Sequence, residues 1–221
     1  MDAAYWNTDF DWSTPAGQML HKLAAILPPG KPFEITIFGS APLQITIDRN
    51  LLSNDVDVFS NAEELEGFVR TAGLLQGQAD FFIQVCSGLN FRTSPLWGTR
   101  TREVKINDCT FIFPHPIDIL IAKLNRLEEK DLEAFRVVLR KTGHPTEEEL
   151  IRELQFAVDL FRPGFDEENA ADMTNNTHRL WPRLYGRAID VRTEIISPAL
   201  ETRRKGYGLP TRDYKQELRE G

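Results

Sequence analysis

Asp55 and Asp57 stand two apart in the run NDVDVFS, with Val56 between them and Val58 after. In a strand this spacing sends both carboxylates to one face and both valines to the other, into a core. Two carboxylates side by side repel, and each raises the other's pKa unless a cation lies between them. Strand formation does not ask for such a pair, but a hard divalent ion that takes oxygen ligands does. Upstream, the apolar run Ile35–Phe38 leads into Gly39-Ser40. Glycine lets the backbone approach a phosphate closely, and serine adds a hydroxyl. Downstream, Lys123 stands in the apolar run PIDILIAKL and offers a cation. Carboxylates for metal ions, donors for phosphates and a cation for their charge are the needs of phosphoryl or nucleotidyl transfer.

These residues need elements to hold them. Ser13 or Thr14 caps a helix with Pro15 in its first turn, and Met19, Leu20, Leu23, Ala24 and Leu27 recur at helical spacing. Phe33–Phe38 reads as a strand. Residues 41–54 allow two readings. Leu43, Ile45 and Ile47 alternate like a strand, whereas a helix opening at Ser40 would aim free N–H groups at the carboxylates' ligand. The helix is preferred for that reason. Val56–Phe59 is the second strand, and Asn61 is expected to cap a helix ending at Gly73. Asp80–Cys86 is a third strand. Arg100–Ile106 and Thr110–Phe113 form a hairpin turning at Asn107-Asp108, and Pro116 opens the helix that carries Lys123. Helices are expected over 131–142, 146–162 (Thr146 and Glu149 as a capping box), 166–174 and 178–196.

Strands and helices therefore mix up to about residue 128, and helices alone follow. The class is α+β, with an all-helical C-terminal half behind the sheet-bearing part. The expected units are an aromatic N-terminal arm over 1–13, an α+β domain over 14–130, a helical domain over 131–200 and a charged tail over 201–221.

Net charge is −7, so the chain as a whole is no polyanion binder. From Arg179 onward, however, ten Lys and Arg face six Asp and Glu. An acidic body with a basic end fits a metal site on one side and a phosphate-rich partner on the other. Arg179, Arg183 and Arg187 form one helix stripe, which also reads as a salt-bridged face. Cys86 and Cys109 lack metal-type spacing and read as buried thiols in a reducing compartment. No apolar run nears the ~20 residues of a membrane span. Asp2, Asp9 and Asp11 give the N-terminus the wrong charge for a signal peptide, so a cytoplasmic location is expected.

Phe38-Gly39-Ser40 followed by Asp55-Val56-Asp57-Val58 resembles the signature of the DNA polymerase β-type nucleotidyltransferase superfamily. The later run PIDILIAKLNRLEEKDLEAF resembles a second marker, found in abortive-infection-type nucleotidyltransferase toxins and related bacterial families. There a proline, an apolar helix with a lysine, and Lys-Asp opening the next helix recur; here these are Pro116, Lys123, Lys130 and Asp131. The similarity covers roughly residues 15–142. It implies a small mixed β-sheet nucleotidyltransferase core flanked by helices. It further implies that Gly39 and Ser40 hold nucleotide phosphates, that Asp55 and Asp57 hold Mg²⁺ (two ions, with Mn²⁺ as a substitute), and that Lys123 contacts the triphosphate. Asp131 would be the acidic residue that follows that lysine in the toxin-like families. Arg49 sits where many relatives have an arginine before the acidic pair. A third metal carboxylate should lie on a later strand. Glu103 is the candidate, with Asp108 and Asp80 competing. The implied substrate is an NTP. The acceptor is RNA, protein or a small molecule, with RNA favoured by the basic end, and an antitoxin-type protein is a candidate partner. The runner-up is an inactive nucleotidyltransferase fold that only binds nucleotide, RNA or protein.

Each residue also has a plainer reading. Ser40 could be a helix cap, Lys123 a snorkelling lysine, Asp131 an N-terminal helix charge, and Arg126 and Lys130 a solvated face. Of the four histidines only His115, between two prolines, stands near the candidate site.

Overall fold

The structure is a computed structural model that describes residues 9–51, 53–162 and 172–206. The fold is mixed α/β, with a five-stranded mixed sheet and eight α-helices among the described residues. Helix α1 (Pro15–Ile26) begins where the Thr14 hydroxyl accepts the Gly17 N–H at 3.0 Å, and Pro15 needs no partner for its nitrogen. Its buried face is Ala16, Met19, Leu20, Leu23 and Ala24. Strands β1 (Phe33–Phe38) and β2 (Asp55–Phe59) are joined by the short helix α2 (Ala41–Thr46). All six residues of α2 are buried, so the alternation of Leu43, Ile45 and Ile47 reflects burial all round a helix and not a strand. Buried Gln44 ties it in place. Its Oε1 accepts the Ala16 N–H at 3.0 Å, and its Nε2 donates to the Leu51 carbonyl at 3.2 Å.

Helix α3 (Leu65–Thr71) starts later than expected, with Glu64 and not Asn61 before it. Ser60 accounts for this. Its Oγ donates to the Glu34 carbonyl at 2.6 Å and accepts the Ala62 N–H at 3.2 Å, which holds 60–62 in a turn. Strand β3 (Phe82–Val85) follows, then the hairpin β4 (Arg102–Ile106) and β5 (Cys109–Phe113), with Asn107 left-handed at its turn. The sheet order is β3-β2-β1-β5-β4. β1 runs antiparallel to β2 and parallel to β5; β2 and β3 are parallel.

After β5, every regular element among the described residues is helical: α4 (Pro116–Leu124), α5 (Glu129–Thr142), α6 (Glu147–Phe156), α7 (Met173–Tyr185) and α8 (Ser197–Gly206). The helix expected over 146–162 ends at Phe156, and a separate 3₁₀ turn spans Val158–Phe161. The helix expected over 178–196 is interrupted at Gly186, whose left-handed φ of 74° ends α7. A π turn over Arg192–Ile196 then leads into α8, so residues 201–206, expected in the tail, are helical. Most of the helix expected over 166–174, the arm before Asp9 and the tail beyond Gly206 lie outside the described residues. Phe10 and Trp12 of the arm pack on Phe113, with ring centroids 4.8 and 6.1 Å away.

The two sheet faces feed two cores. Ile35, Ile37, Val56, Val58, Ile83 and Phe111 point toward α1 and α3. Phe38, Leu43 and Leu51 instead join an apolar cluster with residues of α4, α5, α6 and α7. This second cluster runs across the expected boundary at residue 130, so α4 is packed with the helices that follow it. The buried guanidinium of Arg100 binds Asp118 of α4 through Nε and Nη2 and Glu153 of α6 through Nη1, each bond 2.6 Å long. That ion triad pins α4 to α6.

Candidate functional site

Val56 and Val58 are fully buried, and this anchors β2 with Asp55 and Asp57 on the opposite face. Register places Phe38 across from Asp57, so the chain leaves β1 beside that carboxylate. Gly39 makes the exit with φ of 68°. A Cβ there would overlap Asp57 Oδ2 and lie 3.1 Å from its Cγ. Glycine is therefore required twice, for its conformation and for the space its missing side chain leaves. The Ser53 hydroxyl donates to Asp55 Oδ1 at 2.7 Å. Burial, and then the Asp55 charge, push the Asp57 carboxyl up to about 6, against the charges of Lys123, Arg126 and Lys130. Cys86 Sγ lies 3.9 Å from Asp57 Oδ1, and burial with the two Asp charges pushes its thiol up to about 11.

The basic side comes from the junction of α4 and α5. The Lys123 Nζ donates to Ser40 Oγ at 2.8 Å and to Asp131 Oδ1 at 3.1 Å. Arg126 reaches the same carboxylate, Nε to Oδ2 at 3.1 Å and Nη2 to Oδ1 at 3.2 Å. Asp131 Oδ2 also accepts the Glu128 N–H at 3.1 Å, closing a capping box at the start of α5. Four bonds fill the four acceptor positions of a carboxylate. Burial raises the Asp131 pKa, but the Arg126 and Lys123 bonds and charges overcome it and hold the carboxyl below its usual range. Burial draws Lys123 below its ordinary value despite Asp131. Leu127, with φ of 46° and a buried side chain, makes the sharp turn that lets residues 123, 126 and 131 converge.

The fold thus brings Gly39, Ser40, Asp57, Lys123 and Asp131 to one place, with Asp55 beside them on β2. It does not bring Glu103 there. Glu103 lies on β4, three strands from β2 at the far edge, across from Ile112. Asp108 is in the hairpin turn, where its Oδ2 accepts the Gly30 N–H at 2.8 Å. Asp80 is exposed and precedes β3. Arg49 faces Asp11 at 4.0 Å and lines a separate 270 Å³ cavity with Asp48 and Lys141. His115 caps α4 by accepting the Ile117 N–H at 3.2 Å, and burial depresses its pKa to about 3, so a neutral structural role suffices.

The strand beside the acidic pair is β3, whose residues the sequence alone does not assign to the site. In β3, Gln84 is the register partner of Asp57, while Ile83 pairs with Val56 on the core face. Gln84 and Cys86 therefore share the face of the acids. Period-two spacing along 82, 84 and 86 is in the sequence, but which strand it neighbours is not. Arg126, which reads from the sequence as solvated face, instead binds Asp131; its only sequence signal is a position three after Lys123.

Among the described residues, no group of three or more His, Cys, Asp or Glu is placed to hold a metal ion. The donor set of Asp55 and Asp57 instead fits one hard divalent ion completed by water and substrate oxygens, the usual manner of Mg²⁺. The mutual repulsion that helps raise Asp57 is the electrostatic counterpart of that fit. The expected stripe of Arg179, Arg183 and Arg187 is broken, since Gly186 ends α7 before Arg187, and two of its three arginines are ion-paired. Arg183 pairs with Glu129 at 2.9 Å, and Arg187 with Glu147 and Glu194 at 2.6 Å each. No described helix is long and apolar enough to cross a membrane. Comparison with known protein families, curated proteins and solved structures found no match to this chain.

Proposed function

We propose that the chain is a Mg²⁺-dependent nucleotidyltransferase that moves a nucleotidyl group from an NTP to an acceptor hydroxyl. The observation that carries this is the Lys123–Ser40 hydrogen bond, which joins two motifs 83 residues apart beside the acidic pair. A carboxylate pair and a cluster of cations side by side suit a ligand that is itself a metal-bound polyphosphate. When bound, Mg²⁺ would sit on Asp55 and Asp57 and neutralise charge on the triphosphate. Gly39 gives the phosphates room at the backbone, and Ser40 offers its hydroxyl. In the reaction the acceptor oxygen bonds to the α-phosphorus, the bond to pyrophosphate breaks, and pyrophosphate leaves. The acceptor proton would pass to a carboxylate of the pair or to a water beside it.

RNA is the favoured acceptor, because ten Lys and Arg face six Asp and Glu from Arg179 onward. The ion pairs of Arg183 and Arg187 weaken that preference, and a protein acceptor or an antitoxin-type partner is the alternative. The test is transfer of label from α-³²P-NTP to a cell extract with Mg²⁺, by wild type and by Asp57→Ala. Nuclease or protease sensitivity of the product identifies the acceptor. Equal labelling by the two proteins overturns the proposal. A second reading, nucleotide binding without turnover, is favoured by one observation: Gln84 and not an acid stands beside Asp57 on β3. NTP binding with no labelling by the wild type would select it.

A further inference from the structure

We propose that Arg126, supported by Lys130, is the cation that grips the nucleotide's phosphates, and that Lys123 is a positioning residue acting through Ser40. This rests on the nucleotidyl-transfer reading and moves its phosphate contact from Lys123 to Arg126, a residue that the sequence alone reads as solvated face.

Lys123 is poorly placed to meet a ligand. Its side chain is 7% exposed, and two of its three N–H donors are taken by Ser40 and Asp131. Its neighbours on α4, Ile119, Leu120 and Leu124, are buried in the apolar cluster. What Lys123 does from there is hold the Ser40 hydroxyl. By donating to Oγ it occupies a lone pair and leaves the serine proton free to point elsewhere, toward an incoming oxygen.

Arg126 has the opposite character. Its side chain is 53% exposed, and its two bonds to Asp131 fix the guanidinium plane. Asp131, with no exposed surface and all four acceptor positions used, anchors Arg126 and is closed to a metal ion. Glu128 Oε1 also lies 3.3 Å from Nε, and Nη1 of Arg126 remains for a further anion. A guanidinium held on one edge and open on another suits bidentate phosphate binding. Lys130, 64% exposed and paired to Glu128 at 3.5 Å, adds a second mobile charge. Arg126 shares the Asp131 carboxylate with Lys123, whose Nζ reaches Ser40, so the Arg126 guanidinium lies at the Gly39-Ser40 end of the site.

The test uses the full chain, Mg²⁺ and the nonhydrolysable analogue AMPCPP, with binding read by calorimetry and adenosine as the phosphate-free control. Arg126→Ala should weaken AMPCPP binding ~10-fold or more and leave adenosine binding unchanged, and Arg126→Lys should recover part of the loss. Lys123→Met should also weaken AMPCPP binding, but not further in a Ser40→Ala background, since it acts through that hydroxyl. Should Lys123→Met fail to fold, Lys123→Gln, which can still donate to Ser40 Oγ but carries no charge, should keep AMPCPP binding near wild type, and a loss as large as that of Ser40→Ala overturns the positioning role. Unchanged affinity in Arg126→Ala, with wild type binding AMPCPP, overturns the Arg126 assignment alone. Additive losses from Lys123 and Ser40 overturn the positioning role. Wild type that binds no nucleotide overturns the nucleotidyl-transfer reading and this inference together.

Discussion

Gly39 and Asp57 occupy one volume: the space a side chain would fill on Gly39 is where the Asp57 carboxylate lies. The left-handed φ of 68° adds a second demand for glycine. The residue that leaves strand β1 is thus dictated by the carboxylate on the neighbouring strand.

Gly39→Ala is therefore expected to lose metal and nucleotide binding and to lose stability. The conformational part alone is about 1–2 kcal/mol. Adding Asp57→Ala should remove the overlap and restore the rest, so the double variant should melt above Gly39→Ala. Thermal unfolding of the four-member cycle measures this. Additivity of the two changes would mean that the residues do not compete for space.

Asp57 itself should cost stability near neutral pH. Its folded pKa of about 6 exceeds the ordinary 3.8, so the folded state holds the proton more tightly than the unfolded chain does. That contribution is present below pH 3.8 and is lost as pH rises through about 6. Asp57→Asn should consequently be more stable than wild type at pH 7.5, by at most about 3 kcal/mol, with the gap closing by pH 4. Mg²⁺ should stabilise wild type and not the variant. Urea midpoints across pH, with and without Mg²⁺, check both statements.

The Arg100–Asp118–Glu153 triad makes a purely structural prediction. Arg100→Ala leaves two buried carboxylates without their cation, a change worth about 3–5 kcal/mol. A large fall in urea midpoint is expected. A small one would mean that water or another cation reaches Asp118.

Local signals read well where the physics is local. Thr14-Pro15 opened α1, the acidic doublet lay on a strand, and Thr146 with Glu149 formed a capping box, because each depends on residues within one or two turns. Helix ends failed where a tertiary contact decided them, as at Ser60, whose hydroxyl binds the Glu34 carbonyl on β1. The site was legible as two motifs, while the bond between them was not. Lys123 meets Ser40 only because α4 packs against α2, and Asp131 comes back to Lys123 and Arg126 through the left-handed turn at Leu127. Glu103 was sought as a third acid because it is a carboxylate on a strand. Strand order, which no local pattern encodes, puts it at the wrong edge.

That strand order also names the position where a third acid would act. Gln84 is the register partner of Asp57 on parallel strands, so the two side chains leave the same face. Cys86, two residues on, has the same facing, with its sulfur 3.9 Å from Asp57 Oδ1, and Ile83, the residue before Gln84, is fully buried on the opposite face. Gln84 is exposed, so an acid fits there without repacking. Gln84→Glu should then add a third oxygen donor to the pair and tighten Mn²⁺ binding without nucleotide by ~10-fold or more. Without metal the same change should push Asp57 further up, since a third like charge joins the cluster. Mn²⁺ titration followed by electron paramagnetic resonance reads affinity and stoichiometry directly. Affinity equal to wild type, in a protein whose Asp57→Ala variant has lost the ion, would mean that position 84 does not look onto the metal.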